Sequence, residues 1–168
     1  VVPLHEPGTH VAGILGADWQ RKEWPDEDEL PEVDVRGVCP DIRLYDFRVF
    51  GSSGEGDEFS VMAALQFLRH LNSHRELPLI HGANLSLSIR HDVANYACGR
   101  TPVCDECERV VAAGIVVVAA AGNQGYNRFS TVTAAGRPAT YEGYSGISIT
   151  DPGNAESVFT VGATHRIE

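Results

Sequence analysis

The period of the apolar residues changes several times along the chain, and each change marks an element. Residues 8–15 are small and apolar in a short helical pattern, with Val11, Ala12, Ile14 and Leu15. Residues 18–36 then lose any apolar period and form an acidic, proline-bearing loop. Residues 42–50 alternate strictly. Ile42, Leu44, Asp46, Arg48 and Phe50 share one face and Tyr45, Phe47 and Val49 the other, which predicts a strand. Glycines in residues 51–56 break it, and Ser60 fits the N-cap of a helix whose Val61, Ala64, Leu65, Leu68 and Leu71 recur at three and four. That helix runs to about Asn72.

Residues 79–88 predict a second strand and residues 105–113 a helix stopped by Gly114. Residues 115–121 are apolar without a break, so they want cover on both sides and a central place in a mostly parallel sheet. Residues 126–146, rich in Gly, Ser, Thr and Tyr, read as surface loop, and residues 157–163 as a last strand. The alternation of strands and helices predicts an α/β fold, a doubly wound, mostly parallel sheet with helices on both faces. In such sheets ligands bind beyond the carboxyl ends of the strands, which directs attention to residues 51–56, 86–88 and 122–125.

The 168 residues fit one domain, and a 43% apolar content can bury a core. The net charge of −10 argues against nucleic acid as a partner. Seven of those charges are Glu23, Asp26, Glu27, Asp28, Glu29, Glu32 and Asp34, in a stretch with no base. It reads as a solvated, flexible insertion. No apolar run reaches the ~18 residues that span a bilayer. Val1 opens no signal-peptide pattern and suggests a piece of a longer chain. Four cysteines leave the compartment open, secreted or cytoplasmic. Cys98, Cys104 and Cys107 cluster. Buried thiols, or a disulfide from Cys98 to Cys104 or Cys107, rank above a zinc site, which lacks a fourth ligand.

At the end of the buried strand stands Ala119-Ala120-Ala121-Gly122-Asn123-Gln124-Gly125. Asn123 there is either a turn residue or an amide aimed at a developing oxyanion. Gly8-Thr9-His10-Val11-Ala12-Gly13, then Asn84-Leu85-Ser86-Leu87-Ser88, then Val116 to Asn123, in that order, resemble the subtilisin-like serine proteases, the subtilases. Gly37-Val38-Cys39-Pro40, the residues from Leu44 to Val49, the glycine loop and Val161-Gly162-Ala163 extend the likeness over most of the chain.

The resemblance implies a serine endopeptidase with an aspartate, histidine and serine triad, acting on an extended protein or peptide substrate held as a strand between two edges. The resemblance implies no required cofactor, and calcium at the acidic stretch only as the alternative to a solvated insertion, since its carboxylates follow no ligand rhythm. Asn123 is then the oxyanion donor. Ser86, Leu87 and Ser88 form one substrate edge, Gly54, Glu55 and Gly56 the other, and Ala120 with Gly122 a wall of the specificity pocket. The family's aspartate strand and its Gly-Thr-Ser-Met-Ala-like helix start have no counterpart in these residues, so the chain is expected to be the middle of a catalytic domain and inactive alone. Asp151-Pro152-Gly153 mimics the aspartate motif on the wrong side of the histidine and reads as a turn. Ser145 lacks the helix that a nucleophile needs.

Pro7 stands where the family carries its base histidine. His5 reaches that place only through a two-residue bulge, and His10, which matches the family's second, packing histidine, is the weaker candidate for the base. Pro7 therefore reads as a lost base rather than a displaced His5. His70 and His74 lie four apart without a third ligand, and His81, His91 and His165 carry no motif. Two classes of function follow: an active subtilase, or a pseudoprotease that binds extended peptide without a base.

Overall fold

A computed structural model describes residues 6–19 and 34–164. His5, His165 and most of the acidic stretch, with its candidate calcium ligands, lie outside them. The chain forms two compact units, Val1–Gly56 and Asp57–Glu168.

In the first unit, helix α1 (Glu6–Gly16) contains the whole expected helix. Pro7 falls in its first turn, where the missing N–H has no intrahelical acceptor to lose. Strands β1 (Asp18–Trp19) and β2 (Val35–Arg36) pair antiparallel within the segment read as loop. The chain then returns along the helix end. Val38 N donates to Ile14 O at 2.9 Å and Cys39 N to Leu15 O at 2.8 Å, satisfying carbonyls of the last turn that no helical donor reaches, and Gly37 N donates to Ala17 O, just past the helix, at 2.7 Å. A Cβ on Gly37 would sit 2.6 Å from Ala17 N and 2.7 Å from Gly16 N, so only glycine permits this approach.

The strand predicted over residues 42–50 is not formed. No strand among the described residues pairs with residues 42–49, and Phe50 alone bridges Gly56 across the glycine loop. Alternation assigns faces, but a strand also needs a neighbour for its backbone groups, which a one-dimensional pattern does not supply.

The second unit is a three-stranded parallel sheet in the order β3 (Gly82–Leu85), β4 (Val116–Ala120), β7 (Phe159–Val161). The apolar strand is central, as expected. Its two-sided cover is not found among the described residues. Helix α3 (Pro102–Ala112) packs on β4, whose Val117 and Ala119 are buried, while Val116 remains 50% exposed and Phe159 and Val161 are exposed.

Helix α2 (Glu58–Asn72) packs on α3 through Val61, Leu65 and Leu68, against Val103, Cys107 and Val110 in the same core. Each such side chain contributes about 1.5–3 kcal/mol on burial. Asp57, not Ser60, is its N-cap. The Asp57 carboxylate accepts from Ser60 N at 2.6 Å, because an extended residue just before the first turn is placed to reach the third amide. Helix α3 starts at Pro102, three residues earlier than expected, since proline suits the first helical position. Glu58 Oε1 accepts from Val103 N at 3.0 Å at that start. Buried Glu106 receives Arg69 Nη1 at 2.8 Å and Arg109 Nη1 at 2.9 Å, so the carboxylate between the helices is paired on both oxygens.

Residues 126–146 correct the loop reading. Strands β5 (Tyr126–Val132) and β6 (Pro138–Tyr144) form an antiparallel hairpin, with Tyr126 and Tyr144 ring centroids 5.2 Å apart and Arg128 paired to Glu142. Tyr, Phe, Thr and Val, which favour strands, recur there, and cross-strand pairs outweigh the turn-rich composition. No described helix is long and apolar enough to cross a membrane.

Candidate active site

The Asn72 side chain ties the end of α2 to the approach of β3. Its Oδ1 accepts from Leu79 N and Ile80 N, each at 2.9 Å, and its Nδ2 donates to Ile80 O at 2.8 Å. The following ladder aligns Leu85 with Ala119. Ser86 therefore leaves the sheet at its carboxyl edge beside Ala120, the last residue of β4, which still pairs with Val161 of β7. Of the predicted substrate edge, Ser86 and Ser88 are exposed and Leu87 half-buried, and Asn84 Nδ2 donates to Ser86 Oγ at 2.9 Å.

Past β4 the chain turns at Gly122, whose φ is +91°. A Cβ there would collide with Thr150 Oγ1 and lie 2.9 Å from Thr150 Cγ2, so the position is restricted to glycine by conformation and by space. Thr150 N donates to Ala121 O at 3.0 Å and Thr150 Oγ1 to the same carbonyl at 3.3 Å. Asn123 follows, exposed at the mouth. The structure thus brings Ser86, Leu87 and Ser88 to the edge that carries Ala120, Gly122 and Asn123. An exposed amide beyond a constrained glycine is free to donate to an oxygen presented there.

The remaining predicted residues belong to the first unit. His10 is exposed on α1. Gly54, Glu55 and Gly56 form an exposed tight loop closed by Gly51 N donating to Glu55 O at 2.9 Å.

Two residues carry more than the sequence suggested. Asp151, read as part of a turn, does lead into one at Pro152, Gly153 and Asn154, but it is fully buried. His91, without a motif, places Nδ1 2.8 Å from Asp151 Oδ2, and Asn154 Nδ2 donates to Asp151 Oδ1 at 2.8 Å. Burial opposes charge on Asp151, but the hydrogen bonds from His91 and Asn154 outweigh it and hold the carboxyl below its usual value. The two residues are 60 apart in sequence, so no spacing rule links them.

The cysteines are all free, which corrects the disulfide reading. Cys104 and Cys107 are buried on α3, and Cys39 and Cys98 are exposed. Burial, with the Asp151 carboxylate beside it, pushes the Cys104 thiol up to about 12, and burial next to Cys104 does the same for Cys107. Among the described residues no three His, Cys, Asp or Glu side chains gather as a metal set.

A parallel sheet with a helix packed on it and a glycine-restricted turn at its carboxyl edge makes the class an α/β fold. Within it, a family model described as the Subtilase family matches residues 5–166, and the chain belongs to that family. It is 31% identical over 158 residues to subtilisin DY of Bacillus licheniformis, covering 93% of this chain and 47% of that protein. It is 28% identical over 153 residues to alkaline elastase YaB of Bacillus sp. (strain YaB), covering 91% and 32%, and to subtilisin Savinase of Lederbergia lenta, covering 91% and 45%. The chain thus spans a third to a half of the length of these relatives.

Proposed function

We propose that the protein containing this chain is a serine endopeptidase, and that this segment supplies the oxyanion donor and one edge of the peptide-binding groove. The observation that carries the reading is the alignment of Leu85 with Ala119, which sets residues 86–88 beside the turn presenting Asn123. Membership of the subtilase family and relatives named subtilisin, elastase and protease support it. In this reading an extended peptide adds as a strand along Ser86, Leu87 and Ser88. Ala120 and Gly122 wall the pocket for the side chain before the scissile bond. The Asn123 amide donates to the carbonyl oxygen as it gains charge, while aspartate, base and nucleophile complete the reaction.

Asn123→Ala in the full-length protein tests this. Turnover of a peptide substrate is expected to fall about 10²- to 10³-fold with little change in KM. A variant as active as the parent removes the oxyanion role.

One observation favours a second reading, a peptide-binding domain without catalysis. Pro7 lies in the first turn of α1, where the family carries its base, and proline cannot take a proton. A parent that binds an extended peptide but does not cleave it selects that reading.

A further inference from the structure

The β3–β4 ladder ends at Leu85 and Ala119, before the residues assigned to the groove. Beyond it, the two segments are joined through a third. Ile89 N donates to Asp151 O and Asp151 N to Ile89 O, both at 2.8 Å, immediately after Ser88. The preceding Thr150 donates twice to Ala121 O, immediately before Gly122. Thr150 and Asp151 are therefore a two-residue brace, bonded through Asp151 to the segment after Ser88 and through Thr150 to the chain before Gly122.

The brace has a side-chain lock. His91, two residues beyond Ile89, donates to Asp151 Oδ2, and Asn154 donates to Oδ1 from the turn that follows. The His91 side chain is 8% exposed and that of Asp151 1%. The other titratable groups facing the pair are Asp92, next to His91 in the chain, and the Cys104 thiol of α3. A buried carboxylate tolerates this environment only while its partners stay in place, so the pair resists any slide of residues 89–91 along residues 149–151.

We propose that His91 and Asp151 are positioning residues for substrate, fixing the edge of Ser86, Leu87 and Ser88 against the wall of Ala120 and Gly122. This rests on the reading of those segments as the groove. The pair touches no substrate itself. An edge that shifts loses the hydrogen bonds of an added peptide strand, while the oxyanion donor on the other wall keeps its place. The effect therefore falls on binding of extended substrates.

The test uses the full-length protein, a tetrapeptide nitroanilide that reaches the edge, and an acetylated single-residue ester that does not. His91→Ala is expected to raise KM for the tetrapeptide about ten-fold, with kcat and all ester kinetics within about two-fold. His91→Gln keeps an N–H donor and is expected to recover most of the loss. A fall in active-site titre that lowers both substrates alike, with KM unchanged, would show a merely structural role and overturn the proposal. If the unmodified protein binds the tetrapeptide without cleaving it, the same ten-fold change is read in Kd, and equal affinities overturn the proposal. An unmodified protein that neither binds nor cleaves it overturns the groove reading, and this assignment with it.

Discussion

Gly122 and Thr150 approach so closely that no side chain fits between them: a Cβ on Gly122 would collide with the Thr150 hydroxyl. The contact sets the direction in which the chain leaves β4 and hence where Asn123 stands. Gly122→Ala adds a clash to a φ of +91° that alanine disfavours. A loss of at least about 1–3 kcal/mol is expected, read as a lower urea midpoint with unchanged slope. An unchanged midpoint would mean that residues 149–151 move aside at no cost.

The buried Asp151 carboxyl makes a pH prediction. Its folded value lies below the usual ~3.9, so its contribution to stability is complete above that pH. The contribution is lost as pH falls through the lower folded value. Asp57 and Asp92 are also held low, by hydrogen bonds from Ser60 and Asn95, and add to the same acid limb. Asp151→Asn is therefore expected to flatten, not abolish, the fall in thermal midpoint below about pH 4. Superimposable acid limbs for the two proteins would contradict the assignment.

Thiol labelling separates the cysteines. Cys104 and Cys107, buried and raised to about 12, carry almost no thiolate at neutral pH. Cys39 and Cys98 are exposed. Mass spectrometry after brief iodoacetamide treatment should find the exposed pair modified, and the buried pair modified only in denaturant. Labelling of Cys104 in the native protein would place α3 differently.

The base is decided by two variants of the full-length protein. If Pro7 marks a lost base, Pro7→His raises peptidase activity, because α1 already presents that position in its first turn. His5→Ala then changes little. A parent fully active with Pro7 in place, and inactive as His5→Ala, would reverse the assignment. The 168-residue chain by itself is expected to show no turnover, since it contains no Gly-Thr-Ser-Met-Ala-like motif.

What the sequence determined by itself was mostly local or continuous in the chain. The three-and-four spacing from Val61 to Leu71 marked α2, and the unbroken apolar run around Val117 marked a central strand, because burial on a helix face or within a sheet leaves a period that composition alone records. The motifs around Gly8, Ser86 and Asn123 were enough to indicate the subtilase family. Tertiary structure decided what depends on partners distant in sequence. Residues 42–49 alternate like a strand but pair with none among the described residues, whereas residues 126–146 look like loop and form a hairpin, since a strand exists only when another chain segment takes its hydrogen bonds. His91 and Asp151 show the same limit: neither sits in a readable motif, and only the fold brings them within 2.8 Å, in a setting where burial makes each depend on the other.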